Sequence, residues 1–103
     1  MDERFLTRAL ELTAAMTAAA DAGAWDTTAE LARQRHACLE TALAGDAWRL
    51  RPPVIEALRS MLAADRALTE RAARARQETA AALQELRGGR RMQGAYAAQA
   101  VTG

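Results

Sequence analysis

The stretch from Pro52 to Leu86 reads as one unbroken helix of about 35 residues, closed by Gly88-Gly89. At ~1.5 Å per residue such a helix runs roughly 50 Å, against roughly 30 Å for each of two upstream segments of about 20 residues. A hairpin of two short helices cannot cover a helix that long. Part of it, above all its C-terminal half, requires cover from the chain's own tail, from a second copy or from a partner. The mismatch points to a binding protein.

About a quarter of the 103 residues are alanine, which favours helix and lets helices approach closely. A buried methyl contributes only ~0.8 kcal/mol, against ~1.5–3 for a Leu or Ile, so the core of this single small domain is thin. Every basic residue other than His36 is arginine, and 14 basic against 13 acidic residues leave a formal charge of +1. Nucleic-acid binding normally needs a basic excess, so it is not expected. The uncharged run Leu12 to Ala20 is too short and too rich in threonine and alanine to span a membrane. Met1-Asp2-Glu3-Arg4 lacks the basic-then-apolar order of a signal peptide, and Cys38 alone makes no internal disulfide. The expected compartment is the cytoplasm.

The first helix is predicted over about residues 2–20, with Phe5, Ala9, Leu12, Met16 and Ala19 at steps of four and three. Gly23 is placed to take a left-handed cap. The second helix is predicted over about 25–43, with a seam of Trp25, Ala29, Ala32, His36, Leu39 and Leu43. Asp26 or Thr27 would cap it and Gly45 would end it. The third is predicted over 52–87, with Pro52-Pro53 in its first turn. Large aliphatics crowd its first half. Ala72, Ala75, Thr79 and Ala82 line the second until Leu83 and Leu86. After Gly88-Gly89, a short fourth helix within a tail at 90–101 would carry Met92, Ala95 and Tyr96 on one side, weakened by Gly94. The expected fold is all-α: an antiparallel three-helix arrangement with one long helix and a short mobile C-terminal fourth helix.

Chemistry is sparsely supplied. His36 falls in the apolar seam and reads as a core residue hydrogen-bonded at its polar edge; Cys38, two positions on, faces elsewhere, so no metal site is expected. No catalytic pairing, glycine-rich phosphate loop or carboxylate cluster is visible, so neither an enzyme nor a cofactor is expected. Asp65, the one acid on the helix-three seam, reads as a polar residue that fixes register or faces solvent, with a partner contact as the alternative. Arg87, Arg90 and Arg91 read as a solvated helix end, or as a contact to an acidic surface. Trp25 and Trp48 read as core and loop-cover aromatics.

The segment Gly23-Ala24-Trp25-Asp26, the following amphipathic helix with Leu39-Glu40, the long third helix and the closing Gly89-Arg90-Arg91-Met92-Gln93-Gly94-Ala95-Tyr96 resemble FliT-type flagellar export chaperones. That resemblance implies a cytoplasmic helical chaperone. It would hold the C-terminal segment of the filament-cap protein and deliver it to the type III export apparatus, including its ATPase components. It also implies that the long helix contributes to client binding and that the C-terminal segment can mask that surface. In particular lineages it implies a contact with the flagellar master transcriptional regulator.

Geometry and resemblance together select Ala72, Ala75, Thr79, Ala82, Leu83 and Leu86 as client-binding residues, and Met92, Ala95 and Tyr96 as the masking tail. A chaperone for hook–filament junction proteins and a small dimeric coiled-coil scaffold are the alternatives, the latter making a homodimer the partner.

Overall fold

The structure is a computed structural model that describes the backbone of residues 3–102 and the side chains of residues 3–94. Among the described residues it is all-helical: α1 spans Glu3–Asp21, α2 spans Trp25–Ala42 and α3 spans Pro52–Thr102, with one 3-10 turn, Ala47–Leu50, before α3. The chain divides into two units, Met1–Thr69 and Glu70–Gly103. The first holds α1, α2 and the opening of α3. The second is the remainder of α3.

Both connections in the first unit turn on a glycine with positive φ, Gly23 at 73° and Gly45 at 78°. At Gly23 the geometry is a Schellman cap: Ala24 N–H donates to the Ala19 carbonyl at 2.8 Å and Gly23 N–H to the Ala20 carbonyl at 3.0 Å. A side chain at Gly23 would force a left-handed conformation that L residues adopt at a cost, so α1 ends there as expected. No side chain caps α2; Ala24 is its N-cap residue, and Thr28 Oγ1 donates to the Ala24 carbonyl at 2.9 Å. Arg51 is extended, as a residue before proline must be, and its carbonyl accepts from Val54 and Ile55 N–H to start α3.

The first unit runs up, down and up. Met16 and Ala20 of α1 form a buried cluster with Leu68 of α3, and Trp25, Leu31 and Ala32 of α2 pack against it. Further along α2, Arg35 reaches back to Thr13, so α1 and α2 are antiparallel. Arg51 pairs with Glu3 at the opposite end, which sets α3 beside α1 in the same direction. Leu12 and Val54 are the largest side chains that are fully buried, and Ala9, Ala20 and Ala42 are buried with them. The methyls contribute closeness of approach more than energy.

The register of α2 differs from the expected one. Thr28, Arg35 and Ala42 face inward, one heptad apart, with Leu31, Ala32, Cys38 and Leu39 half-buried between them. Ala29 and His36 are exposed, and His36 Nε2 lies 2.9 Å from Glu40 Oε1 on the outer surface. The helix is rotated by about one residue because Arg35 finds two partners inside that His36 would not find. His36 is therefore a surface residue and not a core one.

The second difference is the end of α3. The expected stop at residue 87, followed by a separate fourth helix, is replaced by one helix that continues through Gly88 and Gly89 to Thr102. Neither glycine takes a positive φ. Each weakens the helix by up to ~1 kcal/mol without forbidding it, and the Arg90-Arg91-Met92-Gln93 that follows is made of good helix formers.

Candidate functional site

In the second unit, Ala72, Ala75, Thr79, Ala82 and Leu86 follow at steps of three, four, three and four, with Leu83 beside Ala82. Residues so spaced lie on one helix face. All six expected binding residues therefore share a face. They share it unequally: Ala72 and Ala75 are half-buried, whereas Thr79, Ala82, Leu83 and Leu86 are exposed, with Leu86 at 62%. Thr79 turns its hydroxyl back onto the helix, Oγ1 donating to the Ala75 carbonyl at 3.0 Å, so it presents its methyl more readily than its polar atom.

Around Leu86 the face carries a shallow groove lined by Ala82, Glu85, Leu86, Gly89, Arg90 and Gln93. Gly89 contributes floor without wall, and nothing stands near the position a Cβ would take there. Glu85 and Arg90 give the groove one acidic and one basic edge. A side chain with apolar contacts and a polar rim fits this surface better than a small polar ligand does.

Of the expected masking residues, Met92 is exposed on the same unit. The side chains of Ala95 and Tyr96 lie outside the described residues. Because α3 continues through Gly88-Gly89, the chain does not reverse there in this structure. Among the described residues no group of three or more His, Cys, Asp or Glu side chains converges to hold a metal ion. Among the described residues no helix is long and apolar enough to cross a membrane.

In the first unit Asp65 is half-buried against Arg35, the register-fixing role open to it from its seam position. Trp25 packs against the buried cluster, and Trp48 is half-buried with the Arg49 guanidinium 5.3 Å from its ring centre. Sequence reasoning missed Arg35 as an inward residue. Its only signal was the presence of a lone acid, Asp65, on the seam of another helix. It also missed Leu50, a large apolar residue left 87% exposed on the 3-10 turn.

A family model described as Flagellar protein FliT matches residues 5–98 of this chain. No curated protein and no solved structure matches it.

Proposed function

The chain belongs to the FliT family of flagellar proteins, and from that premise we propose that it is a flagellar export chaperone for the filament-cap protein. The client's C-terminal segment lies as an amphipathic helix along Thr79, Ala82, Leu83 and Leu86, with Ala72 and Ala75 extending the contact. The observation that supports this reading is the exposure of Leu83 and Leu86 on a helix face that already carries Thr79 and Ala82. Exposed leucines along one face are a recognised mark of a helix-in-groove surface. The small residues that precede them on the face, Ala75, Thr79 and Ala82, leave room for large client side chains.

The tail acts on the same face. In the masked state the chain reverses at Gly88-Gly89 and lays Met92, Ala95 and Tyr96 over the binding residues; the client displaces it. Export-apparatus ATPase components receive the loaded chaperone, in the cytoplasm.

Co-purification with full-length and C-terminally truncated filament-cap protein tests the assignment. The full-length protein is retained and the truncated one is not. Retention of both, or of neither, removes the cap protein's C-terminus as the client segment.

A further inference from the structure

A second exposed apolar surface lies in the first unit, on residues that the binding face of the second does not use. Leu50 stands on the 3-10 turn at 87% exposure, and Leu62 on α3 is 56% exposed. Between them, Arg49, Leu50, Pro52, Ile55, Glu56 and Arg59 line a shallow groove. Ile55, Arg59, Leu62 and Arg66 succeed one another at steps of four, three and four, so they form one stripe along α3. On that stripe two large apolar residues alternate with two exposed arginines, and Glu56, at the groove's edge, is the one acid against Arg49, Arg59 and Arg66. Arg49 extends the basic side, held between the Trp48 ring and Asp46, whose Oδ1 lies 3.7 Å from its Nε.

Large side chains of this kind are usually buried when a core has room for them, and leaving Leu50 in water forgoes its transfer free energy. The alternation decides what covers them. A second copy docking through the same patch would crowd four guanidiniums, Arg59 and Arg66 of each copy, into one self-complementary interface. Like charges so placed disfavour the contact. An acidic chain places carboxylates where guanidiniums can take them bidentately. Anchors at i and i+7, matching Ile55 and Leu62, belong to a helix.

We propose that this stripe, with Leu50 at its end, docks an acidic amphipathic helix of a partner protein, independently of the client face. Leu50, Ile55 and Leu62 receive its apolar anchors, and Arg59 and Arg66 pair with its flanking carboxylates. The surface gives the chaperone a second partner while the first is held.

The test uses the full chain and two fluorescein-labelled synthetic 18-residue helices. Both carry leucines at i, i+3, i+4 and i+7; one is flanked by glutamates and the other by lysines. Anisotropy titrations at low salt give binding of the glutamate peptide, and the affinity falls at least tenfold in half-molar salt. The double variant Arg59→Glu/Arg66→Glu loses the glutamate peptide by at least tenfold and gains the lysine peptide. Leu50→Ala, at a residue so exposed that folding is undisturbed, weakens the glutamate peptide severalfold. Ala82→Glu leaves it unchanged. The proposal is overturned if the glutamate peptide does not bind, if it binds the wild type and both stripe variants equally, or if Ala82→Glu abolishes its binding. Sedimentation showing a dimer that Leu50→Ala dissolves also overturns it, in favour of a second copy. None of these results bears on retention of the cap protein, so this surface and the client face succeed or fail separately.

Discussion

Arg35 meets Asp65 in two parallel hydrogen bonds, Nη1 to Oδ1 at 2.8 Å and Nη2 to Oδ2 at 2.9 Å, and the same Nη1 donates to Thr13 Oγ1 at 3.1 Å. Thr13 in turn donates to the Ala9 carbonyl at 2.9 Å. One guanidinium thus joins α1, α2 and α3. The Arg35 side chain is 11% exposed and that of Asp65 40% exposed, so the arginine depends on the pair more than the acid does.

That asymmetry sets the first prediction. Asp65→Ala strands a nearly buried guanidinium and lowers stability by about 2–3 kcal/mol, somewhat less than the ~3–5 for breaking a fully buried pair. Arg35→Ala leaves a carboxylate that water can still reach and costs less, about 1–2 kcal/mol. Urea denaturation of the two variants gives the order. Equal costs, or Arg35→Ala the costlier, would show that exposure does not govern the pair.

Core and face should separate cleanly. Leu12→Ala removes a fully buried side chain from a thin core and costs about 2–5 kcal/mol. Leu86→Ala, more than half exposed, changes stability by less than about 0.5 kcal/mol. In the same pair, client retention is weakened by Leu86→Ala. Thermal melts and pull-downs on both variants measure the split.

Ala82→Glu weakens retention of the filament-cap protein while helicity and melting stay near wild type, because Ala82 is exposed. Ala75 is half-buried, so Ala75→Glu lowers melting as well as binding. Circular dichroism beside the pull-down distinguishes them. A folding loss at Ala82 equal to the binding loss would place that residue in the intrachain core.

A chain ending at Gly88 binds the cap protein's C-terminal segment more tightly than the full chain, with Tyr96→Ala intermediate. Removing an intramolecular competitor raises apparent affinity by the inverse of the unmasked fraction. Titration calorimetry reads the order of the three. Weaker or unchanged binding by the truncated chain makes the tail part of the grip or a bystander.

Gly88→Ala with Gly89→Ala tests the same masking from the other side. Open space surrounds both positions, so two methyls fit and strengthen the helix by up to ~1 kcal/mol each. A chain held straight there cannot cover its own face, and client affinity rises towards that of the truncated chain. Loss of affinity on stiffening would mean that the client needs the bend.

The helices and their glycine stops were legible because local rules decide them: Gly23 and Gly45 take left-handed conformations that other residues avoid. The face of Ala72 to Leu86 was legible because spacing alone places residues on a helix side. The register of α2 was not. Apolarity ranks His36 above Arg35 for an inward position, and only tertiary partners, Thr13 and Asp65, reverse that order. Gly88-Gly89 misled for a related reason. Glycine permits a break without requiring one, and nothing nearby in sequence decides between the two. Leu50 was invisible, since exposure on a 3-10 turn depends on where neighbouring helices leave room.

The continuity of α3 has a consequence in time. One ladder of backbone hydrogen bonds serves both units, yet amides near Met61 and Leu68 lie under packed side chains while those from Thr79 to Gly94 sit on a helix whose side chains face water. A helix of that composition without packed side chains over it opens readily, and each opening exposes amides to exchange. Deuterium should therefore enter the far segment orders of magnitude faster than the near one, with a graded boundary along a single helix. A client closing over Leu83 and Leu86 would slow that entry without touching the core, so the arriving partner could be timed by the amides it silences.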